Sequence, residues 1–592
     1  MLFPKPQSLN KLSGEYPLKN NYSAYSLLEF FNLIKNGNED ITVTNNSLLA
    51  KEEYILKILP SGIEIISSCD EGTYRAATSL LQMIAKQGNS LLAVVIEDKP
   101  QFERRGYMLD TARGKKPTMD TLKQMIDFIS ALKYNELQLY MEEGSFKYDK
   151  YPKYTADYDC LTAGDIEELD LYCAERFIDL VPNQNSLGHM ENWLRHDEFK
   201  PLALSGNDGS MPNTINPLLK ESEEFLSNLY DSLLPHFKSE YVNIGLDEAF
   251  GLGKYQMEEY TKKHGKDIVF MEWLNKLNAI VTEKHKKKVM FWSDMIYKSE
   301  RLYDMIPKDS IILEWGYELI QSQMMTEHAI MFNNAGLNYY VCPSTNTHLS
   351  FTSRCDVTTF NIRTSAEIGA KFGAKGILLT DWGNAGHAQF GVWSLVPIAL
   401  NGQYAWNIGV EQDGETFKAD FIHASEEYID KFVFGGAKVS RLMYRMGNYY
   451  LLEPERVHVG TMCGETLSRL PIPQTKYAHL YDLKDSGDNF YFDNVIEYVN
   501  KVMADFEAVD FDPIMKREIL LNSKMVILGA ETCKIRIGAK LSNPKLDELI
   551  SMIDEILPEF HELWCKRNYE TGVEIFKAAL SQRRAELVAL KD

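Results

Sequence analysis

The sequence predicts an α/β fold: a (β/α)8 TIM barrel preceded by a small α+β domain and followed by a helix-rich C-terminal region. Between residues 101 and 410, short apolar runs alternate with helical segments eight times. This alternation is typical of parallel strands joined by helical crossovers, and eight units close a barrel. Residues 1–100 are rich in strand signals, whereas residues 411–592 are helix-rich and strand-poor. We therefore expect three domains with these limits.

The first domain is predicted from a hairpin, a helix and a further strand. Residues 54–59 and 62–67 alternate apolar and polar side chains on either side of Pro60, which indicates a hairpin. Residues 71–85 carry apolar side chains at helical spacing, and residues 91–97 have the composition of a strand. None of these residues is chemically distinctive, so we expect a structural role.

The barrel prediction rests on short apolar runs that are typical of buried strands. The predicted strands are residues 106–110, 135–142, 177–182, 241–246, 289–294, 310–315, 337–342 and 376–382. The predicted helices include residues 118–132, 162–176, 218–236 and 395–406 in the barrel, and residues 426–432, 494–506, 512–528, 545–564 and 569–590 after it.

The amino-acid composition indicates the cellular compartment and excludes some classes of binding partner. The net charge of -21 over 592 residues argues against nucleic acid and against anionic membranes, because both need clustered Lys and Arg. The eight cysteines are scattered without a C-x-x-C pair, which favours free thiols over disulfides or a zinc site. The N-terminus lacks the pattern of a signal peptide, and no apolar run approaches the ~20 residues of a membrane-spanning helix. We therefore expect a cytoplasmic protein.

Two adjacent carboxylates, Asp247 and Glu248, follow the fourth predicted strand. The C-terminal ends of barrel strands meet at one rim, where active sites are built. Aromatic and carboxylate side chains on such a rim suit a sugar, whereas a phosphate would need basic or glycine-rich loops after the last strands. The other candidate site residues are Arg105, Glu142, His189, Trp292, Trp315, Tyr317, Trp382 and Asn384.

The adjacency of Asp247 and Glu248 favours one kind of glycoside hydrolysis. Most glycosidases place two carboxylates on opposite sides of the scissile bond, about 5 to 9.5 Å apart, and neighbouring residues fit that arrangement poorly. They fit the substrate-assisted exception better, in which the sugar's own 2-acetamido group is the nucleophile. One carboxylate then protonates the leaving oxygen, while its neighbour stabilises the oxazolinium ion.

Several motifs in this order resemble glycoside hydrolase family 20, the β-N-acetylhexosaminidases. They are residues 105–113, 187–190, 243–248 and 380–383 in the barrel, and residues 71–84 in the preceding domain. The resemblance covers roughly residues 45–410. It implies an exo-acting, retaining enzyme that releases terminal β-linked GlcNAc or GalNAc from a glycan or oligosaccharide through an oxazolinium intermediate. It also implies that no metal and no other cofactor takes part.

The resemblance also implies roles for individual residues. Glu248 would be the general acid and then the base, and Asp247 would orient the acetamido group. Arg105 and Glu142 would bind the distal hydroxyls of the sugar, and His189 would lie beside the acid pair. The walls around the acetamido group would be Trp292, Trp315 and Trp382.

The sequence departs from the family pattern at several of these positions. Asn243 and Leu246 stand where many members have His and Gly, and Glu142 stands where Asp is common. Asn384 replaces an acid that often contacts the sugar, and no Tyr follows the seventh strand, so we expect Tyr317 to supply the missing hydroxyl. These changes affect the sugar preference more than the reaction type.

Three alternatives stay open at this level. A metal-dependent barrel hydrolase could use Asp110, Glu142, His189 and Asp247 as ligands. A barrel that binds an amino sugar without catalysis is the alternative from another functional class. The C-terminal helices could pack on the barrel or form a homodimer interface.

Overall fold

The computed structural model describes residues 2–206, 211–296, 300–409, 414–469 and 490–591. It confirms the predicted fold class, with an eight-stranded parallel closed barrel between a small sheet domain and a helix-rich C-terminal region. The predicted boundary at residues 410 and 411 falls outside the described residues.

The N-terminal part is a five-stranded sheet in the order β1-β5-β3-β4-β2 with two helices. Buried and half-buried side chains alternate along β3 and β4, which pair antiparallel as the predicted hairpin. The strands are β1 (Ser8–Pro17), β2 (Ile41–Asn45), β3 (Tyr54–Leu59), β4 (Gly62–Ser67) and β5 (Ser90–Asp98), and the helices are α1 (Leu27–Lys35) and α2 (Asp70–Gln87).

The barrel closes in the order β10-β11-β12-β13-β6-β7-β8-β9, and each neighbouring pair is parallel. Its strands are β6 (Arg104–Asp110), β7 (Glu136–Met141), β8 (Asp179–Gln184), β9 (Tyr241–Asn243), β10 (Lys288–Trp292), β11 (Ile311–Trp315), β12 (Tyr339–Cys342) and β13 (Gly376–Asp381). Its helices are α3 (Met119–Ala131), α4 (Pro152–Thr155), α5 (Ala163–Ala174), α6 (Glu191–Leu194), α7 (Lys220–Leu233), α8 (Glu258–His264), α9 (Lys266–His285), α10 (Ser322–Asn334), α11 (Cys355–Lys371) and α12 (Leu395–Trp406).

The period of two along each strand divides the barrel core into two layers. Tyr107 and Leu109 pack with the surrounding helices, whereas Met108 belongs to a separate cluster inside the barrel. The inner cluster ends in Trp292 and Trp382 at the C-terminal ends of β10 and β13. The interior is therefore filled with side chains, and in this fold ligands bind at the rim formed by the C-terminal ends of the strands.

The C-terminal region packs directly on the barrel loops. Asn522 accepts hydrogen bonds from the Phe390 backbone at 2.9 Å and from the Trp393 indole at 3.1 Å. A Cβ on Gly464 would lie 2.0 Å from the carbonyl oxygen of Leu349, so only glycine fits this contact. The helices are α13 (Gly414–Phe432), α14 (Ser440–Gly447), α15 (Met462–Ser468), α16 (Phe490–Glu507), α17 (Pro513–Arg536), α18 (Asn543–Arg567) and α19 (Val573–Ala589). None of the helices in the described part of the chain combines the length and apolar character needed to cross a bilayer.

Candidate active site

A cavity of about 510 Å³ opens at the C-terminal ends of the barrel strands. It brings together nine of the ten site residues predicted from the sequence. These are Glu142, His189, Asp247, Glu248, Trp292, Trp315, Tyr317, Trp382 and Asn384.

The acid pair lies in a tightly turned segment after β9, which is shorter than the predicted strand 241–246. The backbone φ angles are 73° at Gly245, 77° at Leu246 and 46° at Glu248. Non-glycine residues rarely adopt such angles, and they persist where the surrounding structure holds them. The segment is held through Gly245, whose backbone N–H donates to Asn243 Oδ1 at 3.0 Å and whose carbonyl accepts from the Trp292 backbone at 3.0 Å.

The loop after β8 fits closely against this segment. A Cβ on Gly188 would lie 2.1 Å from the carbonyl oxygen of Asp247, and one on Gly245 would lie 1.8 Å from Asn185 Oδ1. Backbone approaches this close are possible only without a side chain. The two glycines therefore fix the position of the acid pair relative to His189, which belongs to the same loop.

His189 bridges the two carboxylates. Its Nε2 lies 3.3 Å from Asp247 Oδ2 and 3.3 Å from Glu248 Oε2. Burial alone would lower the pKa of His189, but the negative charge of Asp247 and the hydrogen bonds to both acids outweigh it and raise the pKa well above its ordinary value. A cationic imidazole thus holds Asp247, which is buried, beside Glu248, whose side chain is 40% exposed.

A third acid, Asp294, supports the pair from the end of β10. Its Oδ2 accepts the backbone N–H of Glu248 at 3.0 Å. Burial and the nearby charge of Asp247 raise the pKa of Asp294 to about 7. The contact with the backbone of Glu248 makes Asp294 a positioning group.

Aromatic side chains form one side of the cavity. The ring centroids of Trp292 and Trp382 are 6.0 Å apart, and those of Trp315 and Tyr317 are 5.2 Å apart. The Trp382 indole donates to the Tyr317 hydroxyl at 2.8 Å. Burial raises the pKa of Tyr317, so the hydroxyl keeps its proton. The arrangement presents apolar ring surface and one fixed hydroxyl to a ligand.

Arg113 and Glu142 form a polar part of the lining. The guanidinium of Arg113 lies 3.2 Å from Asp110 Oδ2, 3.4 Å from Glu142 Oε1 and 4.4 Å from the Tyr140 ring centroid. Glu142 also accepts a hydrogen bond from Asn192 at 3.1 Å. This cation–carboxylate pair offers donors and acceptors fixed for the hydroxyls of a sugar.

The prediction that Arg105 binds the ligand is wrong. Arg105 lies near the N-terminal start of β6, at the end of the barrel opposite the cavity. Its guanidinium is buried, hydrogen-bonds to Glu52, and donates to the carbonyls of Phe102 and Lys133. Arg105 therefore joins the barrel to the N-terminal domain, and Arg113 is the arginine in the cavity.

The metal-dependent alternative needs a cluster of His, Cys, Asp or Glu side chains. Within residues 2–206, 211–296, 300–409, 414–469 and 490–591, no three His, Cys, Asp or Glu side chains are grouped so that they could hold a metal ion. Asp110 and Glu142, two of the four candidate ligands, both face the guanidinium of Arg113. A positive charge already occupies the space between these carboxylates.

Several lining residues were not singled out from the sequence. Arg113 is present in the motif 105–113 but lies three residues beyond the strand end, and the barrel pattern alone does not show that it faces the cavity. The others lie between strands and helices of the barrel, in the short helix α6 or in the C-terminal region. They include Glu191, Asn192, His348, His458, Val459 and Ile575.

Comparison with known families agrees with this geometry. The model of the glycosyl hydrolase family 20 catalytic domain matches residues 102–369, and the model of domain 2 of the same family matches residues 31–99. Together the two matches cover more than half of the chain. This chain belongs to glycosyl hydrolase family 20. Both family regions lie before α13, so the helical C-terminal region is outside the matched segments.

Curated relatives are about a quarter identical to this chain over the aligned residues. A beta-hexosaminidase of Vibrio furnissii is 26% identical over an alignment of 298 residues, and the match covers 42% of this chain and 48% of the relative. A lacto-N-biosidase of Bifidobacterium bifidum is 24% identical over an alignment of 295 residues, and the match covers 47% of this chain and 25% of the relative. The chain thus spans half or less of the length of these two family 20 relatives.

Solved family 20 structures share the fold. A beta-N-acetylhexosaminidase of Bacteroides fragilis superposes with a TM-score of 0.59 at 19% identity, covering 73% of this chain and 96% of its own. An exo beta-N-acetylglucosaminidase of Vibrio harveyi, in complex with N-acetylglucosamine, superposes with a TM-score of 0.57 at 18% identity, covering 71% of this chain and 76% of its own.

Proposed function

We propose that this family 20 member is an exo-acting, retaining β-N-acetylhexosaminidase. Its substrate would be a glycan or oligosaccharide with a terminal β-linked GlcNAc or GalNAc. The observation that carries the proposal is the pair Asp247–Glu248, held side by side by His189 at 3.3 Å from each, in a cavity walled by tryptophans.

The first chemical step breaks the glycosidic bond without a protein nucleophile. The carbonyl oxygen of the 2-acetamido group attacks C1, and the proton of Glu248 passes to the leaving oxygen. The oxazolinium ion that forms is positive, and the carboxylate of Asp247 accepts its N–H and stabilises the charge. The buried position of Asp247 supports this role because a carboxylate acts more strongly on a nearby charge when it is shielded from water.

The second step restores the enzyme. Glu248, now ionised, takes a proton from water, and the hydroxide attacks C1 and reopens the oxazolinium ring with overall retention. The exposure of the Glu248 side chain supports both roles, because the leaving group and water must each reach it. His189 and Asp294 keep the two carboxylates in place through both steps.

The lining supports the recognition of an N-acetylated sugar. Trp292, Trp315 and Trp382 supply apolar surface for the acetamido group, and Tyr317 supplies a hydroxyl for its carbonyl. We propose that Arg113 and Glu142 bind the distal hydroxyls, with Asn384 beside them.

The test is turnover of aryl β-N-acetylglucosaminide and β-N-acetylgalactosaminide. The wild type should hydrolyse at least one, and Glu248→Gln should lower kcat by about 10²- to 10⁴-fold, because an amide cannot donate the proton. The control Glu272→Gln changes an exposed glutamate on α9 and should retain full activity. Full activity of Glu248→Gln would refute the proposal.

Two controls separate the proposal from its alternatives. A metal-dependent hydrolase would lose activity in EDTA, whereas this mechanism predicts no loss. A barrel that only binds the sugar would show binding without turnover of either aryl glycoside. A thiazoline analogue of the cyclised intermediate should inhibit competitively, because it resembles the species that the site stabilises.

The remaining proposals concern organisation and location. We propose domains at residues 1–100, 101–410 and 411–592, supported by the separate core of the N-terminal sheet.

The free state of all eight cysteines supports a cytoplasmic location, because thiols persist in reducing compartments. The net charge supports the absence of nucleic-acid and membrane partners. Exposed Val588 and Leu590 at the end of α19 support a homodimer through the C-terminal helices, which light scattering would test.

A further inference from the structure

The C-terminal region reaches the cavity from outside the barrel at Ile575. This residue lies in the first turn of α19, lines the cavity, and is 52% exposed. It is an aliphatic side chain on a rim that is otherwise built by barrel loops and the segment around His458 and Val459. The family models match residues 31–99 and 102–369, so neither includes Ile575.

Two barrel loops enclose Ile575. A Cβ on Gly114, in the loop after β6, would lie 3.0 Å from Ile575 Cδ1, and a Cβ on Gly386, in the loop after β13, would lie 3.2 Å from its Cγ2. The strands β6 and β13 are neighbours in the barrel. The side chain of Ile575 therefore has a defined place on the β13–β6 side of the rim.

The segment that carries Ile575 is fixed to the barrel by hydrogen bonds. The backbone N–H of Tyr569 donates to the Lys116 carbonyl at 2.8 Å, and the Thr571 hydroxyl donates to Asp159 at 2.6 Å. Gly572 touches the barrel so closely that a Cβ there would lie 2.1 Å from the carbonyl oxygen of Gly114. These contacts attach the start of α19, and with it Ile575, to the barrel.

The strand order places this wall opposite the acid pair. Counted along the closed barrel from β9, which precedes Asp247 and Glu248, the fourth strand is β13. In a pyranose ring C4 is across the ring from C1, and C6 lies on the same edge as C4. If C1 is at Glu248, the C4–C6 edge of the terminal sugar faces Asn384, Gly386 and Ile575.

We infer that Ile575 contacts the C4–C6 edge of the terminal sugar and excludes sugars that carry a charged substituent on O6. The inference rests on the proposed function, because it needs C1 at Glu248. An aliphatic side chain packs against the C6 methylene but cannot solvate an anionic group. Arg113, a cation in the lining of the same cavity, is already paired with Asp110 and Glu142. The favoured substrate is thus a terminal N-acetylhexosamine without an anionic group on O6.

The experiment compares kcat/KM for 4-nitrophenyl β-N-acetylglucosaminide with that for its 6-sulfate. The wild type should favour the unsulfated sugar by about 100-fold in kcat/KM, because the aliphatic wall gives the sulfate no partner. Ile575→Ala should lower kcat/KM for the unsulfated sugar by about tenfold, as expected for the loss of aliphatic contact, and should narrow the ratio of the two substrates. Ile575→Lys should bring the kcat/KM values of the two substrates still closer together, because the introduced ammonium group can pair with the sulfate.

The control is Leu171→Ala, which shortens a 54%-exposed aliphatic residue on α5 that does not line the cavity, and it should leave both kcat/KM values unchanged. Equal turnover of both sugars by the wild type, or an unchanged ratio in both Ile575 variants, would overturn the inference while leaving the proposed function intact. A wild type that hydrolyses no aryl N-acetylhexosaminide would instead refute the proposed function, and the inference with it.

Discussion

Replacing Asp294 by Asn should make the protein more stable at alkaline pH. Asp294 is buried beside Asp247, and its pKa is raised from 3.8 to about 7 by burial first and by the charge of Asp247 second. Its folded-state pKa therefore lies above its unfolded value. Between these values the folded state holds a proton that the unfolded state has released, so stability falls as pH rises toward 7. Asn keeps an oxygen for the Glu248 backbone N–H but cannot ionise.

The size of the effect follows from the pKa shift. Most of the loss in the free energy of unfolding falls between pH 5 and pH 8. About two pKa units lie in this range, which corresponds to about 3 kcal/mol at 1.36 kcal/mol per unit. An unfolding entropy of about 2.1 cal/mol/K per residue gives roughly 1.2 kcal/mol/K for a chain of this length. We compare the melting temperature of Asp294→Asn minus that of the wild type at each pH. This difference should therefore be about 2 °C larger at pH 8 than at pH 5.

The assay is thermal unfolding followed by intrinsic fluorescence for both proteins at pH 5 and pH 8. Asp309→Asn removes an exposed carboxylate from the barrel and serves as the matched control, which should show no pH-dependent difference. If the difference between Asp294→Asn and the wild type is the same at both pH values, Asp294 does not titrate in this range and the reasoning fails.

Two further predictions test the positions of the site residues. Gly188→Ala should lower kcat/KM by about 100-fold in the aryl glycoside assay, because its Cβ would displace the backbone of Asp247. The control Gly391→Ala has open space at its Cβ and should leave kcat/KM unchanged. Equal activity of the two variants would contradict the close fit of the loop after β8 against the acid pair. Arg113→Lys should raise KM about tenfold with little change in melting temperature, because Lys cannot reproduce the forked contact with Glu142. Arg105→Gln should lower the free energy of unfolding by about 3 kcal/mol and leave KM unchanged, because it removes one of the two arginines paired with buried Glu52. The reverse pattern would identify Arg105 as the ligand-binding arginine.

The architecture was predictable because its signal is local and repeated. Eight short apolar runs separated by helices specify a parallel barrel, and the hairpin of β3 and β4 shows in the alternation of adjacent residues. Strand ends were less predictable. The apolar run 241–246 suggested a strand as far as the acid pair, but Gly245 and Leu246 take left-handed backbone angles that end β9 at Asn243.

The site was predictable wherever its residues directly follow a strand. Glu142 and Trp382 were assigned to the rim from their places at strand ends, and both line the cavity. Arg105 was misplaced because a strand has two ends, and its residue type alone does not say which end carries the ligand. Ile575 could not be found, because its contact with Gly386 joins segments far apart in the chain and depends on how the C-terminal helices dock.

We propose that the sugar's own amide is the nucleophile at the Asp247–Glu248 site. The most direct test is kcat/KM for a series of aryl glycosides in which the N-acetyl group carries zero, one, two or three fluorines. Fluorine withdraws electrons from the amide oxygen, so kcat/KM should fall steeply with each fluorine added. A rate that does not depend on the number of fluorines would contradict the account.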